Sequence, residues 1–237
     1  YKEGFAKDAE KILKYSIYYK LAKGRNSFSK TDPDATFMHM KYDYYNHTNV
    51  FKPGYNVQMG SSNGYIRHIY VSGDANDRNT YIPFMEGYHR AYGCFPRKTP
   101  ADAGYGSYDN YCYCKEHDIE LYMKYNTMHK EQEKVTDKNR FRSYRMKPDE
   151  EGNIYCPHGH AFTLEQTKES VKGRYPRTIQ FYRNEHCEGC PLRSQCTRSK
   201  NGRTLQRTDK LAEMQIEIRE NLMTETGQEL MKQRSIQ

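Results

Sequence analysis

The sequence predicts an α/β fold, a mixed sheet with flanking helices, interrupted by a small, loop-rich insertion. Residues 54 to 125 carry the first observation: their apolar patterning runs strand, strand, helix, strand, helix, strand. The second is Thr99 to Asn110, T-P-A-D-A-G-Y-G-S-Y-D-N, where Asp102 sits at the end of a short strand and Gly104 and Gly106 let the chain turn sharply. The third is a change of character after residue 126: polar, charged and cysteine-rich sequence takes over until helical periodicity returns at Asp209.

In chain order, residues 2 to 22 read as an amphipathic helix with Phe5, Ala9, Ile12, Leu13, Ser16 and Ile17 near one face, ended by Gly24. Asp32-Pro33-Asp34 is a turn that presents two carboxylates, and Asp43 to Lys52 reads as a polar loop. Gly54 to Met59 and Tyr65 to Ser72 read as strands joined by a hairpin turn at Ser61 to Gly64. Asp74, Asn76 and Asp77 lead into a helix over Tyr81 to Tyr92, Asp77 reading as an N-cap. A second helix covers Tyr108 to His117 with Ser107 as its N-cap, and Ile119 to Tyr125 alternates as a strand. Asp209 to Met231 reads as one long helix or two, with Leu211, Met214, Ile218 and Leu222 on one stripe and Gly227 as an interruption.

The 38 Lys and Arg against 30 Asp and Glu give a net charge of +8, which points to a polyanionic partner. No apolar run is long enough for a bilayer and no leader opens the chain, so the expectation is a cytoplasmic protein without a membrane partner. Lys130 to Lys147 interleaves Arg140, Arg142, Arg145 and Lys147 with Phe141 and Tyr144, a pattern for gripping a nucleic-acid backbone or for a solvated linker. Arg193, Arg198, Lys200, Arg203 and Arg207 form a second basic tract.

Seven cysteines, an odd number gathered mostly in the second half, do not form a secreted disulfide framework. Cys187-x-x-Cys190, Cys196 and the distant Cys156 supply four soft ligands on two arms, with His158, His160 or His186 as substitutes. That set suits a tetrahedral structural Zn2+ that makes the insertion zinc-stabilised; unligated thiols, a redox pair and an iron–sulfur cluster compete with it. Cys94, Cys112 and Cys114 are expected to be buried thiols.

Three blocks, S-K-T-D-P-D-A-T-F-M-H-M from Ser29 to Met40, K-P-G-Y-N-V-Q from Lys52 to Gln58 and A-D-A-G-Y from Ala101 to Tyr105, resemble the DDE-type transposases of bacterial insertion sequences. The resemblance extends over Cys156 to Arg203 and Arg234 to Gln237. It implies a ribonuclease-H-like core, whose second half the strand and helix order of residues 54 to 125 matches. It also implies DNA, both transposon ends and target, as the partner, a homodimer in the active complex, and a bacterial, nucleoid-associated location. In such enzymes three carboxylates hold two Mg2+ (or Mn2+) ions for in-line displacement at a phosphodiester. Asp102 matches the middle acid; Asp32 and Asp34 belong to a signature beside the core, and Asp77 falls on a commonly acidic position. The Asp-Gly-Thr of the first strand does not occur in the sequence, and Lys232 to Gln237 resembles the segment before the third acid, a glutamate. The expectation is therefore a segment with one acid, inactive by itself, of low stability or dimerising through unpaired strand edges.

The resemblance divides the chain into a helical linker at 1–30, a partial core at 31–125, a cysteine-rich basic insertion at 126–208 and a core helix at 209–237. Two other readings stand beside it. One is a non-catalytic, zinc-containing nucleic-acid-binding protein; the other is a nuclease of the same fold using Asp102 with Asp32, Asp34 or Asp77.

Overall fold

A computed structural model describes residues 2–25, 27–40 and 50–236. The chain forms two compact units, Tyr1–Phe95 and Pro96–Gln237, within a mixed α/β architecture.

The first unit begins with α1 (Lys2–Ala22), as the periodicity predicts. Lys23 and Gly24 take positive φ values of 50° and 79° and end it. Arg25 then folds back to donate to the last-turn carbonyls of Leu21 (3.0 Å) and Ala22 (3.0 Å) and to the carbonyl of Asp34 (2.8 Å), satisfying acceptors the helix leaves open. The apolar face of α1 stays uncovered: Phe5 is 75% exposed and Ile12 70%. Periodicity therefore gives the helix here without giving it a place in the core.

β1 (Thr36–His39) pairs antiparallel with β2 (Phe51–Gly54). Phe51 and Lys52, expected in a polar loop, are thus in a strand; residues 43–49 of that expected loop lie outside the described residues. β3 (Asn56–Ser62) and β4 (Tyr65–Ser72) form the expected hairpin, closed by Asn63 and Gly64 at φ 53° and 78°, a two-residue turn whose handedness matches strand twist. α2 (Tyr81–Tyr92) packs on this hairpin at Gly60, where an added Cβ would come within 2.6 Å of the Phe84 ring. Gly93, φ 72°, terminates α2, and Cys94 beyond it is exposed rather than buried.

In the second unit, α3 (Tyr108–Glu116) starts at Ser107, whose Oγ accepts from the Asn110 N–H at 3.2 Å as an N-cap should. Ile119 to Tyr125, expected as a strand, makes only two isolated parallel bridges, Lys98 with Glu120 and Ala101 with Met123. With two short segments in register the ladder does not propagate, yet the segment is the buried heart of the unit: Leu121 is fully buried, and Tyr122 is buried as well as its alternating neighbours. Next come α4 (Met128–Gln132) and β5 (Thr163–Ser170), β6 (Arg177–Arg183) and β7 (Thr204–Arg207), which form an antiparallel sheet in that order, with α5 (Arg193–Cys196) in the loop between the last two. The expected single mixed sheet is thus three small antiparallel sheets among the described residues.

The chain finishes in α6 (Asp209–Met223) and α7 (Glu225–Ile236). Met214, Ile218 and Leu222 face inward as the stripe predicts. The interruption falls at Thr224, whose Oγ1 accepts from the Gly227 N–H at 3.0 Å, and not at Gly227 itself. Gly227 serves close packing instead: a Cβ there would lie 2.1 Å from the Asn221 carbonyl oxygen.

Polar ties span the unit. Asn221 donates to the Leu121 carbonyl at 3.1 Å. Asp109 of α3 accepts the backbone N–H groups of Arg174 (3.1 Å) and Tyr175 (3.3 Å) at the tip of the β5–β6 hairpin, while Tyr108 donates to the Pro176 carbonyl at 3.1 Å.

Ile218→Ala is expected to lower stability by about 2–5 kcal/mol in urea denaturation, because it empties a fully enclosed site. Ile12→Ala, on the uncovered face of α1, should change it by less than about 0.5 kcal/mol.

Candidate active site and cysteine-lined pocket

Asp102 stands at an extended position (φ −66°, ψ 160°) just before a 3₁₀ turn at Ala103–Tyr105. Its carboxylate makes no capping hydrogen bond to that turn. It is 64% exposed and pairs instead with Arg234 in the last turn of α7. The carboxylate is thus not consumed by local structure. Gly106, expected to serve ligand approach, has φ −62° and makes room for packing: a Cβ would meet the Lys124 carbonyl oxygen at 2.5 Å.

Among the described residues no group of three or more His, Cys, Asp or Glu forms a ready metal site. One carboxylate paired with an arginine does not fit a centre for two divalent cations. The remaining acidic candidates have local partners in the first unit. Asp32 accepts from the Tyr55 hydroxyl (2.9 Å) and from the Asp34 N–H, and that hydroxyl bond raises the Tyr55 phenol above its ordinary pKa. Asp34 pairs with Lys23 at 3.1 Å. Asp77 accepts from Asn56 at 2.8 Å, and the N-cap of the turn that follows is Asn76.

The cysteines are brought together. Cys156 opens a tight turn through Gly159 (φ 86°) and donates its N–H to the His160 carbonyl at 2.9 Å. Asn184, 1% exposed, joins that arm to the Cys187 arm: its amide donates to the carbonyls of His160 (3.0 Å) and Ala161 (3.2 Å), and its oxygen accepts from the His186 N–H (3.0 Å). Cys156, Cys187, Cys190 and Cys196 line one cavity of about 20 Å³. That is little more than the roughly 10–15 Å³ one water-sized sphere needs. Cys187 Sγ accepts from the Arg203 N–H at 3.3 Å. Burial pushes the Cys196 thiol up, Arg203 opposes this, and the three neighbouring thiols add to the rise. All four are free thiols, and among the described residues they are not arranged as a ligand group, so the zinc expected from their spacing finds no ready site here. His160 stacks on His186 beside them, centroids 4.9 Å apart.

The basic residues expected on DNA divide into two sets. Arg145 donates to the carbonyls of Lys130, Glu131 and Glu133 at 2.6–2.9 Å. Lys147 pairs with Glu131 at 2.6 Å, and Arg140 lies over the Phe141 ring and pairs with Asp137. Arg193 and Arg203 also turn inward onto carbonyls. Arg142, Arg198 and Lys200 are exposed.

Sequence reasoning missed Glu131, Arg219 and Asn184 and named Arg234 only within a resembling stretch, because each acts through a partner that no local spacing announces. Glu131, 11% exposed, accepts from Lys147, from Thr127 (2.8 Å) and from Arg219 (3.1 Å). Burial raises its pKa, but hydrogen bonds from Lys147 and Thr127 and the charges of Lys147 and Arg219 outweigh that, leaving it below the usual glutamate value.

A basic α/β chain with an exposed aspartate after a short parallel pairing and a basic, cysteine-bearing module is the class these features define. Residues 155–237 match the family model described as Transposase DDE domain, and this similarity supports a DDE-transposase-type fragment. The match includes the cysteine arms, α6, α7 and Arg234. Transposases of this family generally use a divalent metal such as magnesium. No curated protein and no solved structure matches the chain. Among the described residues no helix is long and apolar enough to cross a membrane.

Because the Glu131 pKa is depressed on folding, its contribution to stability is complete above the ordinary glutamate pKa and is lost as pH falls through the depressed folded value. Thermal melts from about pH 6 to about pH 3, which span that range, should show a steeper acid decline for the wild type than for Glu131→Gln, which starts less stable.

Proposed function

We propose that the chain acts as part of a DNA transposase, in metal-dependent strand cleavage and strand transfer, with Asp102 as one acid of a ribonuclease-H-like site. The observation that carries this reading is the Asp102 carboxylate itself: exposed, unused by its own turn, and paired with Arg234 from within the segment that matches the transposase family. The net charge of +8 and the exposed Arg142, Arg198 and Lys200 support DNA as the substrate. The four-part division at residues 30, 125 and 208, a homodimeric active complex and a nucleoid-associated cytoplasmic location belong to the same reading and rest on the resemblance.

Magnesium or manganese would supply the charge that stabilises an in-line displacement. The described residues do not assemble such a site around Asp102, so the role assigned to it here is to offer one carboxylate. Asp102 working with Asp32, Asp34 or Asp77 as a nuclease is less well supported, since those three are engaged by neighbours of their own.

Zinc is the second part of the proposal. Cys156, Cys187, Cys190 and Cys196 would hold it, with His158, His160 or His186 able to replace one of them. The apolar core beneath this module consists of Met146, Ile154, Phe162 and Leu205, with Cys156 and Tyr182 against it. So small a core leaves stability for a metal to supply.

Among the described residues no group of three ligating side chains includes Asp102, and the alternative is a zinc-containing protein that binds nucleic acid without cutting it. A strand-cleavage assay with Mg2+ or Mn2+ separates the two. Under the transposase reading, the segment placed in its full reading frame cleaves DNA, and Asp102→Asn there abolishes cleavage and leaves duplex affinity within about twofold, the carboxylate being no phosphate contact. Full-frame protein that binds DNA but never cleaves it supports the alternative. Metal analysis should find zinc in the purified protein, with Cys187→Ser losing it and melting at lower temperature; metal-free wild-type protein with the same melt would remove zinc from the proposal.

A further inference from the structure

The arginines around the cysteine pocket do different work according to which way they point. Arg193 Nη2 donates to the carbonyls of Lys200 (2.9 Å) and Ser199 (3.3 Å), and its Nη1 to that of Cys187 (3.4 Å). Arg203 Nη1 donates to the Cys196 carbonyl (3.0 Å), its Nη2 to the Phe141 carbonyl (3.2 Å), and its backbone N–H to Cys187 Sγ (3.3 Å). The Arg203 Nε is buried and has no hydrogen-bond partner, so this guanidinium is enclosed by protein. Gly202 permits the enclosure: a Cβ there would come within 2.6 Å of the Asn184 carbonyl oxygen.

These contacts tie both ends of the segment 197–202 to the wall of the pocket, and the Phe141 carbonyl ties the chain beside Arg142 to the same Arg203. What remains outside is Arg142, Arg198 and Lys200, exposed cations next to carbonyls that the two inward guanidiniums hold. A planar fork of N–H donors suits an arginine for satisfying several carbonyls at once, whereas a lysine ammonium on a flexible stem does not.

We infer that Arg142, Arg198 and Lys200 form a grip for the phosphate backbone of duplex DNA, and that Arg193 and Arg203 are positioning residues that hold this grip in shape without touching DNA. This rests on the reading of the chain as DNA-binding. It also reassigns Arg193 and Arg203, which sequence alone put on the DNA.

The two roles differ in how binding responds to salt. Each phosphate contact contributes about 0.9 to the slope of log affinity against log salt. A positioning residue alters the affinity at every salt concentration and leaves the slope alone so long as the outward cations still reach phosphates. Fluorescence anisotropy of a random-sequence duplex of about 20 base pairs, long enough for several phosphate contacts, can be titrated with the whole chain at several salt concentrations. Arg142→Gln, Arg198→Gln and Lys200→Gln should each flatten the slope by about 0.9. Arg193→Lys and Arg203→Lys keep the charge but lose the fork, and should weaken binding about tenfold at unchanged slope.

Two results would overturn the proposal. One is wild-type affinity in Arg193→Lys together with a flattened slope in Arg193→Gln, which makes Arg193 a phosphate contact. The other is an unchanged slope in all three outward variants, which fold whatever the inward lysine variants do because their side chains lie on the surface. Wild-type protein with no salt-dependent DNA binding at all would instead remove the DNA reading on which the inference stands.

Discussion

Glu131 holds a negative charge almost out of reach of water, in a stretch too polar to build a core of its own, and the surrounding segments are arranged to satisfy it. Lys147 reaches it from the start of the cysteine module, Arg219 from α6, and Thr127 from the turn at the base of α4. Arg219 also donates to the hydroxyl of the buried Tyr125 at 3.0 Å, so the polar cluster continues into the apolar one. Removing a charge from water is costly unless good partners meet it, which makes such a cluster intolerant of partial loss. The Asp109 contacts do a similar job on the other side of the unit, where a carboxylate at the start of α3 accepts two backbone N–H groups of the β5–β6 tip. Through α3 the module that carries the cysteines is tied close to the turn that carries Asp102.

What the sequence made legible was local. The end of α1 and the start of α3 follow from Gly24 and Ser107, residues whose backbone or side-chain preference acts within one turn. The β3–β4 hairpin follows from Asn63-Gly64 for the same reason. The inward stripe Met214, Ile218 and Leu222 was legible because helical spacing selects one face. Ile119 to Tyr125 was misread as a regular strand because burial on both sides gives an apolar run that looks the same whether or not a ladder extends through it. Gly227 was misread as a helix breaker because its reason lies in the neighbouring helix, at Asn221.

The candidate site divides along the same line. Cys156, Cys187, Cys190 and Cys196 could be grouped from sequence because soft ligands have a characteristic spacing, and they line one cavity. The arginines could not be sorted, because a positive charge in sequence carries no direction. Only the carbonyls around Arg145, Arg193 and Arg203 reveal that these three are structural hydrogen-bond donors. Asp102 was singled out by its Gly-rich surroundings, but its partner Arg234 lies 132 residues away in sequence, and no spacing pairs the two.

The cysteines also differ in what can reach them. Cys112 and Cys114 are buried on α3, and the four pocket thiols are half-covered by their own module. Cys94 is exposed just beyond Gly93, at the end of α2. A thiol-reactive dye added briefly and in limiting amount would therefore mark Cys94 first. That gives the first unit a fluorescent reporter at a single site while the cysteines of the second unit are left unmodified.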